Sequence, residues 1–181
     1  MTEIIPIVDE NDQVIGSVAK DKFDKTTGAI YRTVSLFLFN KKGQILIQRR
    51  AFSKKTYAGK WDFAAVAGHV AFGESYLEAI QRETDEELGL KNIDFFEVEK
   101  SFTKTKDGKR RFTQVFWAVG DFSLDDLQVP KSEIAEVKLI SLTDLKEMFA
   151  RNPDDFVLYD DVKILSQRFS RIAEIARLKS L

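Results

Sequence analysis

A chain of 181 residues, 44% hydrophobic and with fifteen phenylalanines, is long enough to bury one sizeable core and too apolar to be disordered. Its formal net charge of -1 gives no overall electrostatic bias toward nucleic acid or an anionic membrane, and no apolar run approaches the roughly 18–20 residues of a membrane span. The absence of cysteine excludes disulfides, thiolate metal sites and thiol nucleophiles, and a single histidine excludes an intrachain cluster of His ligands, so any metal must be held mainly by oxygen.

In chain order, "EIIPIVDENDQVIGSVA" sets two apolar runs around a polar turn from Asp9 to Asp12 and predicts an N-terminal hairpin. The acidic-then-apolar start "MTEIIPIVDE" lacks the charged and apolar regions of a signal peptide, and the expected location is the cytoplasm. "YRTVSLFLFNKKGQILIQRR" predicts a second hairpin, with β-branched and aromatic residues on both sides of "NKKG" and Gly43 able to supply positive φ. Residues 68–73 read as a loop that enters a helix from about 75 to 88. A third hairpin follows in "FFEVEKSFTKTKDGKRRFTQVFWAV", with Asp107-Gly108 at its tip, and "AEVKLISL" supplies a last strand. Further helices are expected from about 142 to 150, capped by Ser141 or Thr143, and from about 160 to 178. Hairpins mixed with helices imply an α+β protein with helices packed on a mainly antiparallel or mixed sheet.

The helix after the loop carries the chemical signal. At 100° per residue, Leu77, Ile80, Thr84 and Leu88 fall on one side, and Glu83, Glu86 and Glu87 cluster about a third of a turn away, where the small Ala79, one turn before Glu83, is expected to leave room for a ligand to approach. Like charges at these spacings repel by a few tenths of a kcal/mol per pair, and a bound cation offsets that. Hard Mg²⁺ or Mn²⁺ prefers carboxylate, carbonyl and water oxygens and makes bound water a better nucleophile.

Gly68, Glu74, Arg82, Glu83, Glu86, Glu87 and Gly89 together spell Gly-x5-Glu-x7-Arg-Glu-x2-Glu-Glu-x-Gly. At ordinary residue usage, a chance match in this chain is on the order of one in a million. The pattern resembles the Nudix box, the motif of a family that hydrolyses compounds in which a nucleoside or other group X is linked to a diphosphate. Thr84 departs from it at a position that usually carries a bulky aliphatic residue. The resemblance implies a Nudix fold, a mixed β-sheet sandwiched between helices. The chain then reads as a single domain, with an N-terminal hairpin extension over residues 1–28, a Nudix core over 29–150 and a C-terminal helical segment over 151–181.

By the same resemblance, Glu83, Glu86 and Glu87 are the expected ligands of Mg²⁺ or Mn²⁺, with the Gly68 carbonyl as a further one, and Glu74 and Arg82 are expected to orient them. The general base is either a box glutamate or a later loop acid, for which Glu133 is the first candidate and Glu136 the second. "FNKKGQILIQRRAFSKKTYAGKWDF", Gly68-His69 and "VDENDQVIG" are similar to isopentenyl-diphosphate isomerases, which implies that Arg50 and Lys54 contact a substrate diphosphate. That isomerase needs a catalytic Cys where Ala67 stands, metal-binding histidines where Tyr31 and Arg32 stand, and a late Glu pair that "GKRRFTQVFWAV" lacks near Val115. His69 reads as a loop residue, and Trp61, Phe72 and Tyr57 as core or as pocket wall for a base.

The reading is an isopentenyl-diphosphate-isomerase-like Nudix hydrolase acting as a monomer or homodimer on a diphosphate-containing small molecule, with no membrane and no specific nucleic acid as partner. Its rivals are a catalytically silent Nudix-fold nucleotide or partner sensor and the isomerase itself. The family's variable loops leave the X group open among nucleoside diphosphates, nucleotide sugars, dinucleotides and prenyl diphosphates.

Overall fold

The computed structural model describes residues 2–104 and 108–157, together with Ser170 and Glu174. Apart from Ser170 and Glu174, both helical, the helix expected from 160 to 178 lies outside the described residues, as does the Asp107 half of the third hairpin tip. Strands β1 (Ile4–Val8) and β2 (Val14–Ala19) form the N-terminal hairpin. The Asp9 carboxylate accepts hydrogen bonds from the Asn11 and Gln13 amides, both at 2.9 Å, and fixes the turn. β3 (Ile30–Asn40) and β4 (Ile45–Arg50) form the second hairpin, where Gly43 takes φ +73° and the Asn40 side chain accepts from the Lys42 and Gln44 amides.

β3 is the axis of the molecule. It pairs antiparallel with β4 and with β6 (Val66–His69), and parallel over its whole length with β8 (Arg110–Gly120), the second arm of a hairpin with β7 (Phe95–Lys104). That parallel pairing makes the sheet, nine-stranded among the described residues, mixed, as expected of the α+β class. β5 (Trp61–Asp62) and β9 (Ile134–Ile140) extend it on β4. The expectation of a loop from residue 68 is corrected at its start: Gly68 and His69 close β6, opposite Val34 and Thr33. Strands this short lack a readable alternation, so β5 and β6 leave no periodic trace.

Alternation along β3 builds two cores. Val34, Leu36 and Leu38 pack with Phe116, Ala118 and the helix α1 (Tyr76–Leu88), while Phe37 and Phe39 pack with Trp61, Phe63, Phe156 and Leu145 of α2 (Leu142–Arg151). The sheet is thereby sandwiched between helices. Ser75 caps α1 in a reciprocal box with Glu78, Gly89 ends it in the left-handed conformation at φ +70°, and Ser141 caps α2.

Two expectations for α1 need correction. Ala79 is fully buried against the sheet, so its small size serves helix–sheet packing and leaves no opening for a ligand. Leu77 is 44% exposed, because the first turn is covered instead by Tyr76, which packs partly against the same core. Thr84, the departure from the family pattern, is completely buried and donates its hydroxyl to the Ile80 carbonyl at 2.6 Å, so no polar atom is left unmet.

Tyr76 also ties the helix to the N-terminal hairpin. Asp12, in the left-handed region at φ +62° and 7% exposed, accepts from the Tyr76 hydroxyl at 3.1 Å, from Arg32 Nε at 2.7 Å and from Lys100 Nζ at 2.7 Å. Burial pushes its carboxyl up, but hydrogen bonds from Lys100 and Arg32 outweigh it and hold Asp12 below its ordinary pKa of 3.8. A depressed pKa means stability that is fully present above that value and lost as pH falls through the folded-state pKa. Asp12→Asn should therefore cost about 2–3 kcal/mol in urea unfolding at neutral pH, below the range for a fully buried pair because Lys100 stays half exposed. The gap to the wild type should close as pH falls below 3.8.

Candidate active site

The loop between β6 and α1 brings the box residues together around one guanidinium. Arg82 donates from Nε and Nη2 to the two oxygens of Glu74 (2.7 and 3.1 Å), from Nη2 to the His69 carbonyl (2.9 Å), and from Nη1 to Glu83 (3.0 Å) and Glu86 (3.2 Å). The planar fork holds Glu74 bidentately, and Glu74 accepts from the Ala71 amide at 2.9 Å, so helix and loop are locked to each other. Arg82 holds the Glu74 carboxyl below the usual range, and Glu74 in turn raises the pKa of Arg82 and keeps it charged.

Glu83 lies against the sheet at 8% exposure, and the position of a Cβ on Gly68 would fall 2.0 Å from its carboxyl carbon. Burial raises the Glu83 pKa, opposed by Arg82. Glu87 is half-buried. Its Oε2 is buried with no hydrogen-bond partner, and burial, then the charge of Glu83, push its pKa up to about 8 against the pull of the Ala67 amide. Glu86 stands at the solvent side, its side chain 59% exposed. Among the described residues, no three acidic or histidine side chains are already gathered into a metal shell, since Arg82 Nη1 bridges Glu83 and Glu86.

These carboxylates open onto a cleft of about 1320 Å³ that also reaches Arg50, Lys54 and Glu133. Arg50 donates from Nε to the Thr56 carbonyl at 3.2 Å, which fixes its side chain at the end of β4. Two residues singled out for different tasks prove to be partners: Lys54 Nζ donates to the Glu133 carboxylate. Glu136 lies outside the cleft lining and pairs with Lys138 at 3.2 Å and more loosely with Arg49 at 3.8 Å. Of the aromatic candidates, Tyr57 lines the cleft, Trp61 is buried in the core under Lys138, and Phe72 is exposed away from it.

His69 also lines the cleft, stacked on Tyr31 with ring centroids 5.4 Å apart, and Phe23 meets Tyr31 edge-on at 4.9 Å. Burial above all, with the nearby Lys20 and then Arg111 and Lys109 outweighing Glu3, lowers the His69 pKa to about 4, so the ring is neutral at neutral pH. The loop-residue reading of His69 missed this stack. The sequence reading also did not single out Thr33, Ser35 and Thr113, which line the floor of the same cleft. Their grouping depends on the parallel pairing of β3 with β8, which no local pattern announces.

Comparison with known proteins gives this geometry a context. The NUDIX domain profile matches residues 30–162. A Nudix hydrolase of Pseudomonas aeruginosa, itself uncharacterised, is 37% identical over 138 residues, covering 76% of this chain and 78% of that protein. An isopentenyl-diphosphate Delta-isomerase of Photorhabdus laumondii is 29% identical over 182 residues, covering 98% and 99%. Among solved structures, a protein of Deinococcus radiodurans superposes with TM-score 0.66 at 26% identity over 82% of this chain and 90% of its own. The Nudix domain of Shewanella oneidensis NrtR, solved with ADP-ribose, superposes with TM-score 0.60 over 85% and 94% at 17% identity, a likeness of fold alone.

Proposed function

The chain belongs to the Nudix family, and from that premise we propose that it hydrolyses a diphosphate linkage, with a divalent cation held by Glu83, Glu86, Glu87 and the Gly68 carbonyl. The observation that carries the reading is Glu87: a buried carboxylate oxygen with no hydrogen-bond partner beside two further carboxylates is a costly arrangement that a hard cation relieves. The Gly68 cradle under Glu83 fits the same role, since any side chain there would displace that carboxylate. Bound Mg²⁺ or Mn²⁺ supplies charge neutralisation and a more acidic water.

The chain's own residues do the rest. Arg82, pinned by Glu74, sets the angle of Glu83 and Glu86, while Arg50 and Lys54 hold the phosphate oxygens. Water attacks a phosphorus atom, the bridging P–O bond breaks, and a carboxylate accepts the water's proton. Glu133 is the loop acid that reaches the cleft, and its partner Lys54 is released to the substrate when a diphosphate enters. Cytoplasmic action belongs to the same proposal. Among the described residues, no helix is long and apolar enough to cross a membrane.

The isomerase relatives do not redirect the chemistry. Ala67 stands at the exposed cleft position where the isomerase resemblance calls for a cysteine, and the chain has none. The diphosphate grip carries over without it. A charge-assisted phosphate contact is worth about 1.5–3 kcal/mol in ground state and transition state alike, so Arg50→Ala should raise KM roughly tenfold to a hundredfold with kcat little changed. Steady-state kinetics on a hydrolysed diphosphate test this. A KM within about twofold of wild type for both Arg50→Ala and Lys54→Ala would place the phosphates elsewhere.

A further inference from the structure

The N-terminal hairpin lies ahead of the matched profile, which begins at residue 30, yet the residue before β1 delivers a carboxylate to the cleft. Glu3 lines it beside Gly68, His69, Glu83 and Glu86. Its position is fixed from both sides: the Lys20 amide donates to the Glu3 carbonyl, and the Phe72 amide, in the loop between β6 and α1, donates to the Ile4 carbonyl, both at 2.8 Å. At the far end of the hairpin Asp12 is held by Arg32, Lys100 and Tyr76, so the hairpin is a fixed wall of the cleft. The two oxygens of Glu3 differ. Oε2 accepts from Lys20 Nζ at 2.5 Å, whereas Oε1 is buried with no hydrogen-bond partner among the described residues. A carboxylate whose task was only to pair with Lys20 would keep its second oxygen in water, and one buried and unmet is costly, as at Glu87. The charge of Glu3 also reaches the box, where it adds to that of Glu86 in raising the pKa of Glu83.

We propose that Glu3 is a positioning residue of the cation site, contributed from outside the family core, whose open oxygen accepts a hydrogen bond from a water that the cation carries. The inference rests on the hydrolase reading above and deepens it. Mg²⁺ gives up its waters reluctantly and usually keeps several, and a carboxylate is their strong, charge-assisted acceptor. Lys20 occupies the other oxygen and sets the angle of the group, which makes Glu3 a poorer direct ligand than Glu87 and leaves it the water. A further negative charge beside Glu83 also adds to the attraction for the cation.

Mn²⁺ binding tests this apart from turnover. Titration of the substrate-free protein, with free Mn²⁺ read by EPR, gives the affinity. Glu3→Gln, which keeps the shape, should weaken it about tenfold. Lys20→Met breaks the same ion pair but removes a cation, so the affinity should hold or tighten by a few-fold. A pair with only a structural task predicts the same loss in both variants. In turnover, Glu3→Gln should raise the Mg²⁺ concentration for half activity about tenfold, with KM for the diphosphate at saturating Mg²⁺ within about twofold of wild type. Equal weakening in both variants, an affinity unaltered by Glu3→Gln, or an effect confined to KM, which would assign Glu3 to the substrate, would overturn the assignment. Mn²⁺ affinity lost in Glu87→Gln but kept in Glu3→Gln would refute this inference and spare the hydrolase reading. The expected affinities with no hydrolysis of any diphosphate would do the reverse, and a wild type that binds no Mn²⁺ would refute both.

Discussion

Glu87→Gln should lower kcat on the order of 10³-fold with the fold intact, and Glu86→Gln should lower it by at least about tenfold to a hundredfold. The ranking follows from environment. Glu87 presents a buried oxygen with no other partner, so a cation there depends on it, whereas Glu86 is half in water and already shared with Arg82. The same substitution has an opposite effect on the metal-free protein. Removing a carboxylate with one buried, unpartnered oxygen should leave the chelated protein as stable as wild type or slightly more so. Millimolar Mg²⁺ should raise the melting temperature of wild type and leave that of Glu87→Gln unmoved, since only a state that binds the ion is stabilised by it. Thermal melts with and without chelator, read beside turnover, separate loss of a ligand from loss of the fold.

Gly68→Ala should abolish most activity, by about a hundredfold or more, with a modest loss of stability. The backbone at Gly68 is not in the left-handed region, so the demand for glycine is one of space. The added methyl would sit 2.0 Å from the Glu83 carboxyl carbon and 2.1 and 2.4 Å from its two oxygens. The carboxylate must swing away, dragging its hydrogen bond to Arg82 Nη1 and the position of the cation with it. The effect should fall on kcat and on the Mg²⁺ concentration needed for half activity, with KM for the diphosphate nearly constant. Equal activity in Gly68→Ala would mean that Glu83 has no fixed part in the reaction.

Legibility in the sequence tracked locality. The three hairpins and α1 carry their own signals: Gly43 after "NKK", the turn from Asp9 to Asp12, and the Ser75 and Gly89 caps. The box was legible because its residues lie on one helix and on the strand end and loop just before it, so spacing converts directly into geometry. What stayed hidden depends on contacts between distant segments. The docked face of α1 includes Glu83, because Arg82 gives a buried carboxylate its partner, and no hydropathy pattern places an acid in a core. Asp12 looked like an ordinary turn residue until Arg32, Lys100 and Tyr76 converged on it from three elements. The hydroxyl floor arises from alternate residues of strands some eighty positions apart. Lys54 and Glu133, each legible as a charge, form a pair only because β9 returns beside β4.

The most direct test of water attack at a metal-loaded carboxylate site is an isotope measurement. Wild type is incubated with Mg²⁺ in H₂¹⁸O with nucleoside diphosphates, nucleotide sugars, dinucleotides and prenyl diphosphates, and the products are weighed by mass spectrometry. Hydrolysis predicts one ¹⁸O in one phosphorylated product, absent with chelator and nearly absent in Glu87→Gln. Intact diphosphates throughout, or deuterium exchange at the allylic carbon of isopentenyl diphosphate in D₂O without P–O cleavage, would contradict it.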